Sequence, residues 1–118
     1  MTLREIIQLV EGAPLTRVIP WDMDINYVTA SDLMSDVLAF AKPHSVLLTG
    51  LANVHVISTA EMADVAAIIL IRGKQPSDEV IRQAEEKGKP VFGSPHSMFE
   101  LCARLHNAGM QGADVNAL

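Results

Sequence analysis

A single cysteine, Cys102, is all the sulfhydryl chemistry this 118-residue chain holds. One thiol closes no internal disulfide, so stability has to come from a packed core, and a reducing cytoplasm is the expected compartment. Aromatic residues are scarce, with three Phe, one Tyr and one Trp, which leaves few platforms for stacking unpaired bases. Positive charge is scarce too: nine Lys and Arg stand against fourteen Asp and Glu, for a net charge of −5. The bases are scattered and often sit beside acids, as in Glu85, Glu86, Lys87 and Lys89. Nucleic-acid binding needs a clustered basic face, so no nucleic-acid partner is expected. No apolar run approaches the ~20 residues of a membrane span, so no membrane partner is expected either. The N-terminal stretch MTLREIIQLVEG lacks the basic, apolar and small-residue order of a secretory leader.

Several catalytic signatures are also missing. The chain contains no G-x-x-x-x-G-K-[ST], no G-x-G-x-x-G, no H-E-x-x-H and no G-x-S-x-G. Phosphate-loop kinase chemistry is thereby excluded. Ser94 stands near His96, but no acid lies close in sequence to orient the pair, and a strand-to-helix turn with a capping serine is the plainer reading. Cys102 and His106 are four apart on one helix, yet two ligands do not complete a zinc site. No metal and no cofactor are expected. Asp22 and Asp24 fall in a polar turn, where solvated carboxylates are ordinary.

What the sequence does contain is an apolar centre. From Val65 to Ile71 every residue is apolar and four of the seven are β-branched. The run is short for a helix and reads as a strand buried on both faces, as in a parallel sheet flanked by helices. Around it the chain alternates. Thr2-Leu3-Arg4-Glu5 is a capping box opening a helix over Thr2–Glu11, with Gly12 stopping it. Leu15–Ile19 and Ile25–Thr29 are strand candidates, either in the main sheet or in a separate ribbon. Ser31 is placed to cap a helix with Asp32 in its first turn, and Leu33, Met34, Val37, Leu38 and Ala41 give its buried face. Ser45–Thr49 is a strand, Ala52–Met62 a helix, and Pro76 opens another helix that ends at Gly88. Val91-Phe92 is the last strand, and Ser97-Met98-Phe99-Glu100 reads as a second capping box starting a helix that stops at Gly109. Gln111–Leu118 has no apolar periodicity and is expected to be a flexible tail after a single domain over 1–110.

The expected fold class is α/β, a three-layer α/β/α sandwich around a mainly parallel sheet. Parallel strands bring the turns that follow them to one edge of the sheet. Those turns contain Thr49-Gly50-Leu51-Ala52-Asn53, Arg72-Gly73-Lys74 and Gly93-Ser94-Pro95-His96. Glycines allow close approach, helix N-termini supply amides, and Arg72 and His96 supply cationic groups, so a small anion or nucleotide suits this rim. The expected ligand-binding residues are Thr49, Gly50, Asn53, Arg72, Gly73, Ser94 and His96, with Ser31 and Asp32 as neighbours.

The order of short motifs also carries a resemblance. Tyr27–Leu38, Val46–Thr49, Ala66–Leu70 with Gly73 and Pro76, Pro90-Val91 and Phe99-Glu100-Leu101 together resemble a DRTGG domain over about residues 2–110. The namesake Asp-Arg-Thr-Gly-Gly string is absent, and Asp24–Ala30 takes its place. The family occurs as regulatory modules in phosphotransacetylases and, between CBS repeats, in some pyrophosphatases that sense adenine nucleotides. It is similar to the non-catalytic N-terminal domain of HPr kinase/phosphorylase. The resemblance implies a non-catalytic regulatory or ligand-sensing domain and a homodimer. Stand-alone copies accompany hydrogenase or related redox systems, so the alternative it implies is an accessory factor that meets a redox protein without a small ligand.

Overall fold

The computed structural model describes residues 1–113. The chain forms α1 (Leu3–Leu9), β1 (Ala13–Pro14), β2 (Tyr27–Ala30), α2 (Met34–Phe40), β3 (Ser45–Thr49), α3 (Val54–Met62), β4 (Ala67–Leu70), α4 (Asp78–Glu86), β5 (Val91–Gly93), α5 (Met98–Asn107) and β6 (Gln111–Gly112). One sheet holds all six strands in the order β1-β5-β4-β3-β2-β6. Every neighbouring pair is parallel except β1 with β5.

Alternation within the strands divides the core into two slabs. Val46, Leu48, Ala67, Ile69 and Phe92 face α1 and α5, where they meet Leu3, Ile6, Leu101 and Leu105. Leu47, Ile68, Leu70 and Val91 face the other way, against Val37 of α2, Val56 and Ile57 of α3, and Val80 of α4. Side chains one apart point to opposite faces, so a strand apolar at every position must be covered on both. The three-layer sandwich read from the sequence is thus the fold.

Helix boundaries follow from local chemistry. Thr2 and Glu5 form the reciprocal box that opens α1. Asn53, Ser77 and Ser97 cap α3, α4 and α5 through bonds from the amides of Val56, Val80 and Glu100. At Ser97 the cap is one-sided, because the Glu100 carboxylate accepts from Arg104 instead. Four helices end in the same paired closure, with Glu11, Asp64, Gly88 and Gly109 in left-handed backbone after α1, α3, α4 and α5. The stop for α1 is therefore Glu11 and not Gly12.

Four expectations need correction. Leu15–Ile19 is not a strand: the ladder with β5 ends at Pro14, and beyond it the Thr16 hydroxyl, not a backbone carbonyl, accepts from the Val91 amide. Arg17 then turns to Glu85, giving that carboxylate its amide and its guanidinium. Ser31 does not cap α2, whose first flanking residue is Leu33 with no side-chain cap; Ser31 instead accepts the Leu33 amide in a local turn. Leu33 and Leu38 do not join the buried face of α2, since Val37 alone is buried there and the two leucines are 57% and 47% exposed. Gln111-Gly112 is no loose tail: it pairs with Tyr27 and Val28, and Ala113 donates to the Val28 carbonyl. The rest of the expected tail, residues 114–118, lies outside the described residues. The strand candidate at Ile25–Thr29 belongs to the main sheet as β2, beside β3.

Candidate functional site

The parallel register places the ends of β2, β3, β4 and β5 along one edge, with Ala30 beside Leu48, Thr49 beside Leu70 and Leu70 beside Gly93. The turns that leave them do gather there. They divide into two hydrogen-bonded halves, joined where the Ile71 amide donates to the Thr49 carbonyl.

In the first half Asp32 ties β2 to β3. Its Oδ1 accepts from Thr49 Oγ1 at 2.9 Å and from the Gly50 amide at 2.7 Å. Thr49 Oγ1 in turn accepts from the Leu51 amide at 3.2 Å. A Cβ on Gly50 would lie 3.4 Å from Ile71 Cδ1 and 3.5 Å from an Asp32 oxygen, ordinary contact distances, so the rim has room for a methyl group at this glycine. Asp32 had been expected to serve the dipole of α2, but its carboxylate crosses to the next strand. Asn53 is occupied as the cap of α3.

In the second half the turns after β4 and β5 are bonded to each other. The Arg72 amide donates to the His96 carbonyl and the Gly73 amide to the Ser94 carbonyl, both at 2.8 Å. Arg72 and Gly73 both sit in left-handed backbone, at φ 54° and 66°. Ser94 is buried and its hydroxyl donates to the Val10 carbonyl at 2.7 Å. The His96 ring meets the Glu11 carboxylate at 2.8 Å, where Arg104 also donates. The hydrogen bond from His96, then that from Arg104, holds the Glu11 carboxyl below the usual glutamate range. Ser94 and His96 therefore do not make a nucleophile and base: the serine hydroxyl donates to the Val10 carbonyl and the imidazole meets the carboxylate of Glu11, just after α1. The Arg72 side chain is left exposed at this edge.

Beside the β2 end of the rim lies a cavity of about 390 Å³. Its floor is the β2 segment from Val28 to Ser31, and one wall is Asp36 and Phe40 of α2. The opposite wall is Cys102, Leu105 and His106 of α5, closed by Met110 and the start of β6. Of the nine residues singled out from sequence, Ser31 alone lines it. The rest had weak signals. Cys102 and His106 stand on one face by their spacing of four, but β6 carries no periodicity, so the wall that closes the space was invisible. Burial pushes the Cys102 thiol up. The Thr29 hydroxyl beneath the floor is cut off from solvent and has no partner among the described residues. Among the described residues no group of three or more His, Cys, Asp and Glu is arranged to hold a metal ion, and no helix is long and apolar enough to cross a membrane.

An α/β sandwich of this order, with a cavity at its outer parallel edge, is a class of small domain and not yet a family. The DRTGG domain family model matches residues 5–108. The chain belongs to the DRTGG domain family. A solved structure similar to it contains the CBS and DRTGG domains of the regulatory region of Clostridium perfringens pyrophosphatase, complexed with the activator diadenosine tetraphosphate. The two align with a TM-score of 0.66 at 17% identity, over 88% of this chain and 45% of that one. The chain thus spans less than half the length of that structure. A comparison with curated proteins finds no match.

Proposed function

We propose that this chain is a non-catalytic regulatory domain that senses a small ligand at the open edge of its sheet. The observation that carries the reading is the cavity of about 390 Å³ where β2 leaves the sheet, within the usual range for small-molecule sites. Membership of the DRTGG family supports a regulatory role, and the similar pyrophosphatase region is a regulatory one by its description. An adenine nucleotide or another small anion suits the rim as a whole, with Arg72 exposed to meet phosphate and Thr49, Gly50, Gly73, Ser94 and His96 shaping the backbone. The absence of a Ser94–His96 pair favours sensing over turnover. A single thiol suits a reducing cytoplasm.

A thermal-shift panel of AMP, ATP, diadenosine tetraphosphate, acetyl phosphate and NAD tests this. A ligand at 100 times its Kd adds about 2.7 kcal/mol, which raises Tm by roughly 10 °C in a domain of this size. A flat panel refutes ligand sensing. A second reading, an accessory factor that docks a redox or hydrogenase protein or a second copy of itself, draws on exposed Leu33, Leu38 and Phe40 around α2. It predicts a dimer, or a defined complex with the redox protein, by light scattering.

A further inference from the structure

The cavity and the rim differ in charge, and that difference says which part of a ligand each can take. Among the described residues no lysine or arginine lines the cavity, and its titratable side chains are Asp36, His106 and the Cys102 thiol. A phosphate placed there would face a carboxylate with no fixed cation to offset it, whereas the exposed Arg72 belongs to the rim outside. The cavity is instead mostly apolar in character, with the Phe40 ring on one side and Leu105 and Met110 on the other.

Its floor is the edge of β2 that faces β6. Among the described residues β6 pairs with β2 at Tyr27 and Val28. Strand residues direct their amides alternately to either side. The Ser31 amide bonds Leu48 of β3, and the Val28 carbonyl accepts from Ala113 on the opposite side. The N–H and C=O of Ala30 therefore face away from β3, on the cavity side, and have no partner among the described residues. An adjacent donor and acceptor on one backbone residue match a ring edge that carries an amine beside a ring nitrogen.

We infer that this cavity takes the uncharged heteroaromatic end of the ligand, a nucleobase or nucleoside read by the Ala30 backbone and covered by Phe40, and that it excludes phosphate. This rests on the ligand-sensing reading and assigns its base-recognition subsite. At about 390 Å³ the space sits near the small end of ligand cavities, so it holds one base with its sugar and not a dinucleotide.

The lone cysteine makes the test direct, because Cys102 lines the cavity and is the chain's one thiol. The rate of its reaction with a thiol reagent is followed in the full chain with adenosine, AMP or inorganic phosphate, alongside calorimetric titration. Adenosine and AMP are expected to slow labelling at least fivefold, and phosphate to leave it unchanged. Phe40→Ala, at a side chain 44% exposed, is expected to fold normally and to weaken adenosine binding at least tenfold. Ala30→Pro removes the edge N–H and is expected to do the same; should it not fold, Phe40→Ala decides alone. Protection by phosphate but not adenosine overturns the inference. So does AMP binding with full Cys102 reactivity, a result that leaves ligand sensing at the rim standing. Failure of every ligand in both assays overturns the inference and the sensing reading together.

Discussion

Replacing Asp32 with alanine should cost about 2 kcal/mol although the residue lies on the surface. One carboxylate oxygen accepts from the Thr49 hydroxyl and from the Gly50 amide. Thr49 is fully buried, so its hydroxyl hydrogen loses its acceptor where water does not reach, a loss of roughly 1–3 kcal/mol. The Gly50 amide is only half-buried and can turn to water, which adds about 0.5 kcal/mol. Urea unfolding at pH 7 reads the sum: with a slope of roughly 1.5 kcal/mol/M, the midpoint falls by about 1.3 M. Asp32→Asn keeps an oxygen acceptor in place and should cost less than about 1 kcal/mol. Thr49→Val removes the buried donor, so the double variant Asp32→Ala/Thr49→Val should be less damaging than the two single losses added, by about 1 kcal/mol. The bridge is refuted if Asp32→Ala unfolds within ~0.5 kcal/mol of the parent, or if asparagine is as harmful as alanine.

Three further outcomes follow from the same structure. Phe92→Ala should cost about 3–5 kcal/mol in chemical denaturation, because the ring is fully buried and packs at 5.8 Å against Trp21; a loss under ~1 kcal/mol would mean the site collapses freely. Asp64→Gly should stabilise by about 0.5–1 kcal/mol in the same assay, since Asp64 holds φ 56° after α3 where Gly88 and Gly109 serve α4 and α5, and its pair with Lys89 is long at 3.9 Å; destabilisation would show that pair to matter more than the backbone. The Glu11 carboxyl is held low by His96 and Arg104, and that of Glu85 by Arg17, so their contribution is present above the ordinary value of 4.5 and is lost as pH falls through the lowered ones. Glu11→Gln should therefore flatten the fall of stability below about pH 4.5, measured by Tm against pH, and an unchanged profile would contradict the His96–Glu11–Arg104 contact.

Much of the architecture was already written in local chemistry. The apolar Val65–Ile71 run demanded a strand covered on both faces, and its central part, Ala67–Leu70, is fully buried as β4. Ser45–Thr49 is β3 at its expected bounds, and Thr2 and Ser97 cap the helices they precede. These features are legible because periodicity and capping act within a few residues. Contacts between distant segments are different. Nothing near Gln111 marks it as a strand; it becomes one because α5 returns it beside the open edge of β2. Nothing near Asp32 tells whether its carboxylate serves its own helix or the next strand, 17 residues on. Ser94 and His96 look like partners along the chain, but the turn that follows α1 supplies the carbonyl of Val10 and the acid Glu11 that separate them. Short-range order thus followed from residue types and spacing, while the cavity and the wiring of the rim arose where α1, α5 and β6 close on the sheet, since only packing brings atoms 80 or more positions apart within bonding distance.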